Sequence, residues 1–216
     1  MKILAVLGGT GNQGPGLARR WAQSGQYQVI VGSRQAEKAK QVANDLNEQL
    51  GQNLITGLVN DEAARAADIC VLTVPFAAQG PTLAGLKETL QGKILVDVTV
   101  PLKPPKVARV NIPDGLSAGQ TAQAILGDGV RVVSAFQNIS AEHLADDHTI
   151  DCDVLICGDD KEAKQEVMAL CQAAELRGID AGPLQNAVAV EALTSVLIGI
   201  NIRYKVKGSG IRITGI

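Results

Sequence analysis

The sequence predicts an α/β fold: a Rossmann-type doubly wound parallel sheet followed by a small C-terminal α/β lobe. Short apolar runs alternate with helical segments along most of the chain, and strands that are apolar on both faces are typical of a parallel sheet covered by helices. Aromatic residues make up only 2% of the chain, so Val, Ile, Leu and Ala must build the core. A glycine-rich loop follows the first apolar run, as in dinucleotide-binding folds.

The elements follow one another in a regular alternation until the chain becomes polar and acidic after Phe136. In chain order, the predicted strands are 2–7, 27–33, 54–58, 68–75, 93–100, 130–136, 154–158 and 178–184, the last being a short strand with its turn. The predicted helices are 16–25, 35–50, 81–90, 161–175 and an apolar helix that begins near Ala187. We therefore divide the chain into a Rossmann domain over 1–150 and a small lobe over 151–216.

The composition argues against several classes of partner. Nucleic-acid surfaces need clustered basic residues or stacking aromatics, whereas this chain has a formal net charge of −2 and dispersed basic residues. No run approaches a membrane span, and the apolar start is too short for a signal sequence. We expect a cytoplasmic protein that binds neither nucleic acid nor membrane. The four cysteines lack CxxC spacing, so we expect buried free thiols.

The glycine loop fits the dinucleotide pattern G-x-G-x-x-G. It reads Gly9-Thr10-Gly11-Asn12-Gln13-Gly14, directly after a predicted strand and before a predicted helix. In this pattern the first glycine permits a tight turn, the second lets the backbone approach the pyrophosphate, and the third lets the helix pack on the strand. The loop has no lysine, which argues against a nucleotide-hydrolysing P-loop. A merely structural turn is the alternative.

The end of the second strand favours NADP over NAD. An NAD site places Asp or Glu there to accept from the ribose 2′-hydroxyl, whereas this chain has Ser33 and Arg34. Ser33 can donate to a 2′-phosphate and Arg34 can pair with it. Lys38, four residues after Arg34, adds charge on the same helix face. Lys38 alone is equally consistent with a solvated surface lysine.

Two further segments lie at the carboxyl ends of strands, where ligands bind in such sheets. Val74 and Pro75 end the fourth strand, and Val100 follows the fifth, so they are predicted walls beside the ribose and nicotinamide. Strand termination is the alternative role for the prolines. No catalytic acid or base and no metal site is evident. Neither tyrosine belongs to a Tyr-x-x-x-Lys pair, and we expect both histidines to lie on the solvent-exposed surface. Hydride transfer between two cofactors needs mainly positioning and exclusion of water.

Several segments together resemble the NADPH-dependent reductases of the deazaflavin coenzyme F420. They are GGTGNQGPGLA, VIVGSRQAEKA, ICVLTVP, KILVDVTVPL, VVSAFQNISA, VLICGDD and DAGPLQNA, in this order over nearly the whole chain. The resemblance implies reversible hydride transfer between C5 of the deazaflavin and C4 of the nicotinamide. It also implies that the deazaflavin lies in the cleft between the Rossmann domain and the small C-terminal lobe.

The resemblance also assigns residues to the two cofactors. Val74, Val100 and Ala135 fall near the nicotinamide, and the segment around Ile211 reaches the cofactor cleft. Family members commonly have His where this chain has Gln137, and bulkier residues where it has Ala77 and Ala78. By position, the remaining NADP contacts are Thr10, Gly11, Asn12 and Gln13 at the pyrophosphate and Ser33, Arg34 and Lys38 at the 2′-phosphate.

Two other functions are also consistent with these sequence features. One is an NADPH-dependent reductase of another acceptor, a flavin or a ferric chelate. Another is a non-catalytic regulatory module that binds NADP. A homodimer is expected from the resemblance. The last helix carries apolar residues that could pack on its own lobe or on a second subunit, namely Leu193, Val196, Leu197 and Ile200.

Overall fold

The structure, a computed structural model, describes residues 1–216 and contains one eight-stranded sheet flanked by helices. The strands are β1 (Lys2–Leu7), β2 (Tyr27–Ser33), β3 (Ile55–Val59), β4 (Ile69–Leu72), β5 (Ile94–Asp97), β6 (Arg131–Ser134), β7 (Asp153–Gly158) and β8 (Arg177–Asp180). The α-helices are α1 (Gly14–Gln23), α2 (Ala36–Leu50), α3 (Asn60–Ala66), α4 (Phe76–Leu86), α5 (Ala118–Leu126), α6 (Ala141–Ala145), α7 (Lys161–Ala173) and α8 (Ala187–Tyr204). The predicted α/β fold is confirmed.

The strand order places the start of the chain at the switch point of the sheet. The order is β3-β2-β1-β4-β5-β6-β7-β8, and β1 pairs in parallel with both β2 and β4. Ligands of doubly wound sheets bind outside the carboxyl ends of the strands at such a point. β7 is antiparallel to β6, and β8 is parallel to β7. The predicted boundary at 150 falls between β6 and β7, so strands from both sides join one sheet, and a separate lobe stays a prediction.

Several elements differ from the sequence prediction, which lacked α3 and α5 and extended β6 and β8 beyond their observed ends. The helix predicted over 81–90 spans Phe76–Leu86 and contains Pro81. Proline favours the first helical turn, but here Pro75 precedes the first turn and Pro81 lies within the helix. The strands predicted over 68–75 and 93–100 end at Leu72 and Asp97. One further hydrogen bond follows each strand end, from the N–H of Thr73 to Leu7 of β1 and from the N–H of Val98 to Leu72 of β4, and the register pairing stops there.

The core consists of two apolar clusters, to which alternate residues of β1 contribute. Trp21 of α1 is fully buried in one of them, and its indole N–H donates to the carbonyl of Leu170 on α7 at 2.8 Å. The same indole meets the ring of Phe136 edge-on, with centroids 5.7 Å apart. These contacts tie the helix of the glycine loop to the last third of the chain. All four cysteines are buried and free, as the sequence predicted.

The last helix corrects one expectation. Leu184–Tyr204, comprising a short 3-10 turn and α8, is long and apolar enough to cross a membrane by length and composition, with a mean hydropathy of 1.4. The expectation that no run approaches a membrane span is therefore wrong by that criterion. The helix carries Glu191, which is 1% exposed and accepts hydrogen bonds from the start of α5. The helix therefore packs on the protein along the side that carries Glu191.

Candidate functional site

A groove of about 700 Å³ lies at the carboxyl ends of β1, β2 and β4. It brings together seven residues that the sequence analysis assigned to the cofactor: Thr10, Gly11, Ser33, Arg34, Lys38, Val74 and Pro75. The other lining residues are Gly8, Gln35, Asn60, Thr73, Ala78 and Thr82. Segments far apart in the sequence therefore converge on one groove at the predicted edge of the sheet.

The glycines of the loop have distinct steric roles. A Cβ on Gly9 would lie 2.6 Å from the carbonyl oxygen of Val6, and a Cβ on Gly14 would lie 2.5 Å from the Cα of Gly9. Both positions are closed to larger residues because the loop folds back on the strand and α1 packs on the loop. A Cβ on Gly11 would meet nothing closer than 3.7 Å. Its open side is therefore space for a ligand rather than for protein packing.

The backbone of the loop presents unpaired donors at the start of α1. The N–H groups of Asn12, Gln13 and Gly14 donate to no acceptor of the protein. Amides at a helix N-terminus carry partial positive charge and form an anion site. Pro15 at the start of the helix removes only a donor that would have no helical partner. This arrangement fits a pyrophosphate.

Gln13 has a second contact that the sequence analysis missed. Its side-chain amide donates to the carbonyl of Phe136 at 2.8 Å and to that of Ile139 at 3.3 Å. The carboxamide N–H groups are therefore used within the protein and connect the glycine loop to the segment after β6. The backbone N–H of Gln13 remains the group available to a phosphate.

The far end of the groove is cationic. Arg34 and Lys38 are both exposed, and neither forms an ion pair with a carboxylate. No Asp or Glu lines the groove. Ser33 is buried, and its hydroxyl oxygen accepts from the N–H of Gln35 at 3.3 Å, which leaves its hydroxyl hydrogen to donate. Two unpaired cations and a hydroxyl donor suit a phosphate monoester better than a ribose hydroxyl.

Asn60 is a further groove residue that the sequence analysis did not name. Its carboxamide oxygen accepts from the N–H of Gly8 at 3.1 Å. A Cβ on Gly32 would lie 2.7 Å from the same oxygen. Asn60 thus fixes the turn after β1 against the end of β2, and only glycine at position 32 leaves room for it. The residue stands two positions after the strand predicted over 54–58 and directly after the observed β3, which is the signal that could have identified it.

The remaining predicted residues lie outside the groove. Val100 is half-buried in the segment after β5, Ala135 is fully buried directly after β6, and Ile211 packs half-buried in the C-terminal tail. Gln137 is buried, and its carboxamide donates to the carbonyl of Asp97 at 2.9 Å and to the hydroxyl of Ser134 at 2.7 Å. It also lines a smaller cavity of about 160 Å³ between the segment after β6 and α8. The roles of these four residues at the cofactors stay predictions.

A buried polar network lies where β5 and β6 end. Asp97, the last residue of β5, is 0% exposed and accepts from the N–H and hydroxyl of Thr99 and from the side-chain amide of Gln79. Glu191 of α8 accepts from the N–H groups of Ala118 and Gly119 at 2.6 and 3.1 Å. These are the first two residues of α5, so Glu191 caps that helix from another element.

Ser134 and Gln137 connect the carboxyl group of Glu191 to the backbone of Asp97. The Ser134 hydroxyl donates to Glu191 at 3.2 Å and accepts from Gln137, which also bonds the backbone of Asp97. The sequence analysis found no paired carboxylates and missed this arrangement. A single acidic residue inside an apolar run marks each of them, in ILVD and in AVAVEALTSV, and such residues are buried only with partners.

Relatives with the same name match the chain over its whole length. A family model described as NADP oxidoreductase coenzyme F420-dependent matches residues 3–101. A protein of Methanocaldococcus jannaschii named F420-dependent NADP reductase is 44% identical over 225 residues, covering 100% of this chain and 99% of that protein. This chain belongs to the F420-dependent NADP reductases. A relative from Methanothermobacter thermautotrophicus with the same name is 41% identical over 224 residues, covering 100% of this chain and 96% of that protein.

Two further likenesses bear on the fold and on the acceptor. A solved structure of a candidate F420-dependent NADP reductase from Arthrobacter sp. FB24 has a TM-score of 0.81 at 25% identity and covers 100% of both chains. A rat protein named metalloreductase STEAP3 is 31% identical over 186 residues. That match covers 86% of this chain and 35% of the rat protein. The F420-dependent NADP reductase fold thus extends through the C-terminal third of this chain.

In this member of the reductase family, burial controls the ionisation of the two network carboxyls. Burial raises the pKa of Asp97 to about 6, although hydrogen bonds from Thr99 and Gln79 oppose the shift. Burial likewise raises the pKa of Glu191 to about 7, opposed chiefly by the amides at the start of α5. No lysine, arginine or histidine pairs with either group.

These raised pKa values predict a pH-dependent stability. Each folded carboxyl binds its proton more tightly than the unfolded one, so its contribution to the free energy of unfolding falls as pH rises from about 4 through about 7. The loss is roughly 3 kcal/mol for each group when fully ionised. We expect the double variant Asp97→Asn with Glu191→Gln to flatten this fall, measured as the difference in denaturant unfolding between about pH 5 and about pH 8.

Asp128→Asn is the matched control for that measurement, because Asp128 is exposed in the turn before β6. It should keep the pH dependence of the unsubstituted protein. An equal fall in the double variant would show that other groups cause it.

The histidines take no part in the network, since His143 and His148 bond to each other at 3.0 Å near the C-terminal tail. No group of three or more His, Cys, Asp or Glu is arranged to hold a metal.

Proposed function

We propose that the protein transfers a hydride between NADP(H) and the deazaflavin coenzyme F420. The observation that carries the proposal is the groove, which is lined by Thr10 and Gly11 of the glycine loop and by Arg34 and Lys38, two cations without carboxylate partners. The free amides at the start of α1 follow Gly11 directly in the chain. The family adds the deazaflavin as co-substrate. In one direction, NADPH gives a hydride from C4 to C5 of the deazaflavin, which also takes up one proton, and NADP⁺ and the reduced deazaflavin result.

The protein's own residues bind and orient the nicotinamide nucleotide. The N–H groups of Asn12, Gln13 and Gly14 would hold the pyrophosphate. Ser33, Arg34 and Lys38 would hold the 2′-phosphate, while Val74, Pro75, Val100 and Ala135 would wall the nicotinamide side. No general acid or base is required for the hydride itself, because positioning and exclusion of water supply the rate.

The second co-substrate is expected on the side of the C-terminal third. Gln137 and Ile211 belong to segments on that side, and Gln137 lines the smaller cavity beside α8. We propose that residues 151–216 close the cleft over the deazaflavin. We also propose a cytoplasmic location, since four free and buried thiols are typical of a reducing compartment.

Mixing the pure protein with NADPH and oxidised F420 tests the proposal. We expect the deazaflavin absorbance to fall as NADPH is consumed in equal amount. A protein that binds NADPH but leaves the deazaflavin unchanged at every pH would contradict it. A ferric chelate and a free flavin belong in the same panel, because the likeness to the rat metalloreductase makes reduction of another acceptor the second candidate function. Turnover with those acceptors alone would favour it.

We propose that a second copy of this chain covers the exposed face of α8. Val196 and Ile200 of that helix are 46% and 36% exposed, whereas Leu193 packs on the protein's own core. The segment before α5 extends the face, because Ala108 lies 3.8 Å from the position of a Cβ on Gly199, and Ile112 nearby in the sequence is 40% exposed. The homodimer that the family resemblance implies would bury this apolar area.

Introducing charge on this face should dissociate the dimer. We expect the double variant Val196→Asp with Ile200→Asp to sediment as a monomer at concentrations where the unsubstituted protein is a dimer, because two buried aspartates would stay unpaired. Leu54→Asp is the control, since Leu54 is 38% exposed and lies before β3, remote from α8 in the sheet order. An unsubstituted protein that sediments as a monomer would contradict the proposal.

A further inference from the structure

Asp97 and Glu191 form a pair of buried acidic groups that no cation neutralises. Asp97 is 0% exposed and Glu191 is 1% exposed. Every partner around them is an uncharged donor: amides at the start of α5, the side-chain amide of Gln79, and the hydroxyls of Thr99 and Ser134. Neither carboxyl belongs to an ion pair.

The scaffold alone does not require charge at these positions. A neutral Ser, Thr or Asn caps a helix about as well as an acid, and Ser117 already caps α5 through its hydroxyl and the N–H of Gln120 at 3.0 Å. An ionised group away from water costs free energy unless something else compensates. The charge of Glu191 is therefore not explained by the cap it makes, and the same holds for Asp97 and the turn to Thr99.

Asp97 and the Glu191 partner Ser134 are sequence neighbours of residues that the proposed function places beside the nicotinamide. Val100 follows Asp97 by three residues, and Ala135 follows Ser134 directly. Asp97 and Ser134 are register partners at the carboxyl ends of β5 and β6. Buried charge at this edge of the sheet acts through protein rather than through water, so it is only weakly screened.

We infer that Asp97 and Glu191 set the redox preference of the cofactor site, because their negative charge binds the cationic ring of NADP⁺ more tightly than the neutral ring of NADPH. This inference rests on the proposed function. The two carboxylates do not contact the nicotinamide ring. They act on its charge by electrostatic attraction across the protein. For protein-bound cofactors, the two carboxylates therefore favour hydride transfer from NADPH, which forms NADP⁺. The equilibrium between the free cofactors in solution stays unchanged.

The experiment compares affinities for NADP⁺ and for NADPH, measured by calorimetry at about pH 8, where both carboxyls are largely ionised. We expect Asp97→Asn and Glu191→Gln each to lower the preference for NADP⁺ over NADPH by about tenfold, the size of a Coulomb interaction through protein. A general structural defect would weaken both cofactors alike and leave the ratio unchanged.

Two controls separate charge from structure. Ser134→Ala breaks the same network without removing charge, and Asp128→Asn removes one charge at the opposite end of β6. Both should keep the ratio of the unsubstituted protein. A ratio that is unchanged in Asp97→Asn and Glu191→Gln, or that shifts equally in Ser134→Ala, would overturn the inference.

The unsubstituted protein gives an independent measurement if a variant fails to fold. Lowering the pH from about 8 to about 5 protonates both carboxyls, and the preference for NADP⁺ should fall. The 2′-phosphate is common to both cofactors and cancels in the ratio. A ratio independent of pH would count against the inference. Failure of the unsubstituted protein to bind either cofactor would instead refute the proposed function.

Discussion

Replacing Arg34 with alanine is expected to weaken NADP(H) binding by about 10- to 100-fold and to leave the weak binding of NAD(H) nearly unchanged. Arg34 is exposed at the groove and has no carboxylate partner in the protein, so its charge is available to a ligand. A charge-assisted hydrogen bond contributes about 1.5–3 kcal/mol, and only NADP(H) carries the phosphate that would receive it. The folded protein should lose little stability, because the exposed Arg34 side chain forms no hydrogen bond or ion pair within it.

Titration of each variant with NADPH and NADH measures this effect. Lys40→Ala is the matched control, because Lys40 lies in the first turns of α2 shortly after Arg34, pairs with Glu37 and does not line the groove. It should leave both affinities close to those of the unsubstituted protein. Equal weakening of NADPH and NADH in Arg34→Ala would refute the assignment of Arg34 to the 2′-phosphate.

Replacing Gly14 with alanine is expected to weaken NADPH and NADH alike by more than about tenfold and to destabilise the protein by about 2 kcal/mol. The new Cβ would lie 2.5 Å from the Cα of Gly9 and 2.8 Å from its carbonyl atoms. Backbone atoms cannot rotate away as a flexible side chain can, so α1 must shift relative to the loop. That shift displaces the amides that would hold the pyrophosphate.

Gly11→Ala separates the two effects. Its Cβ would meet no protein atom closer than 3.7 Å, so the free energy of unfolding should change by less than about 0.5 kcal/mol. Cofactor affinity should still fall, because the methyl group occupies the space left for the ligand. Denaturant unfolding and cofactor titration on both variants check this contrast. Full NADPH affinity in Gly11→Ala would mean that the cofactor does not approach the loop at this residue.

Local patterns carried most of what the sequence could predict. The loop from Gly9 to Gly14 needs glycine for reasons of short range, and Ser33 with Arg34 stands at a fixed place after a strand. Parallel pairing then brings these segments to one groove. Such features depend on spacing along the chain and on general rules of the fold, so the fold class and the convergence of these segments on one groove could be predicted.

Contacts between distant segments were beyond that reasoning. The bonds from Gln13 to the segment after β6 and from Glu191 to the start of α5 join residues whose neighbours are set by packing. The start of α4 was misplaced because the prediction began the helix at Pro81, whereas Pro81 lies inside a helix that begins directly after Pro75. The exposed face of α8 has the composition of a buried one, so its apolar pattern alone could not distinguish core from surface.

The bond from Trp21 to Leu170 limits how this protein could be reused in engineering. Arg20 adds a bond to the carbonyl of Ala174, and Gln13 holds the segment after β6. A fragment cut at residue 150 would lose both carbonyls and would expose the indole and the outer edge of β6. The glycine loop therefore depends on packing partners outside residues 1–150 and cannot be transferred alone. Grafting it into another scaffold would require transplanting the helix that follows β7 as well.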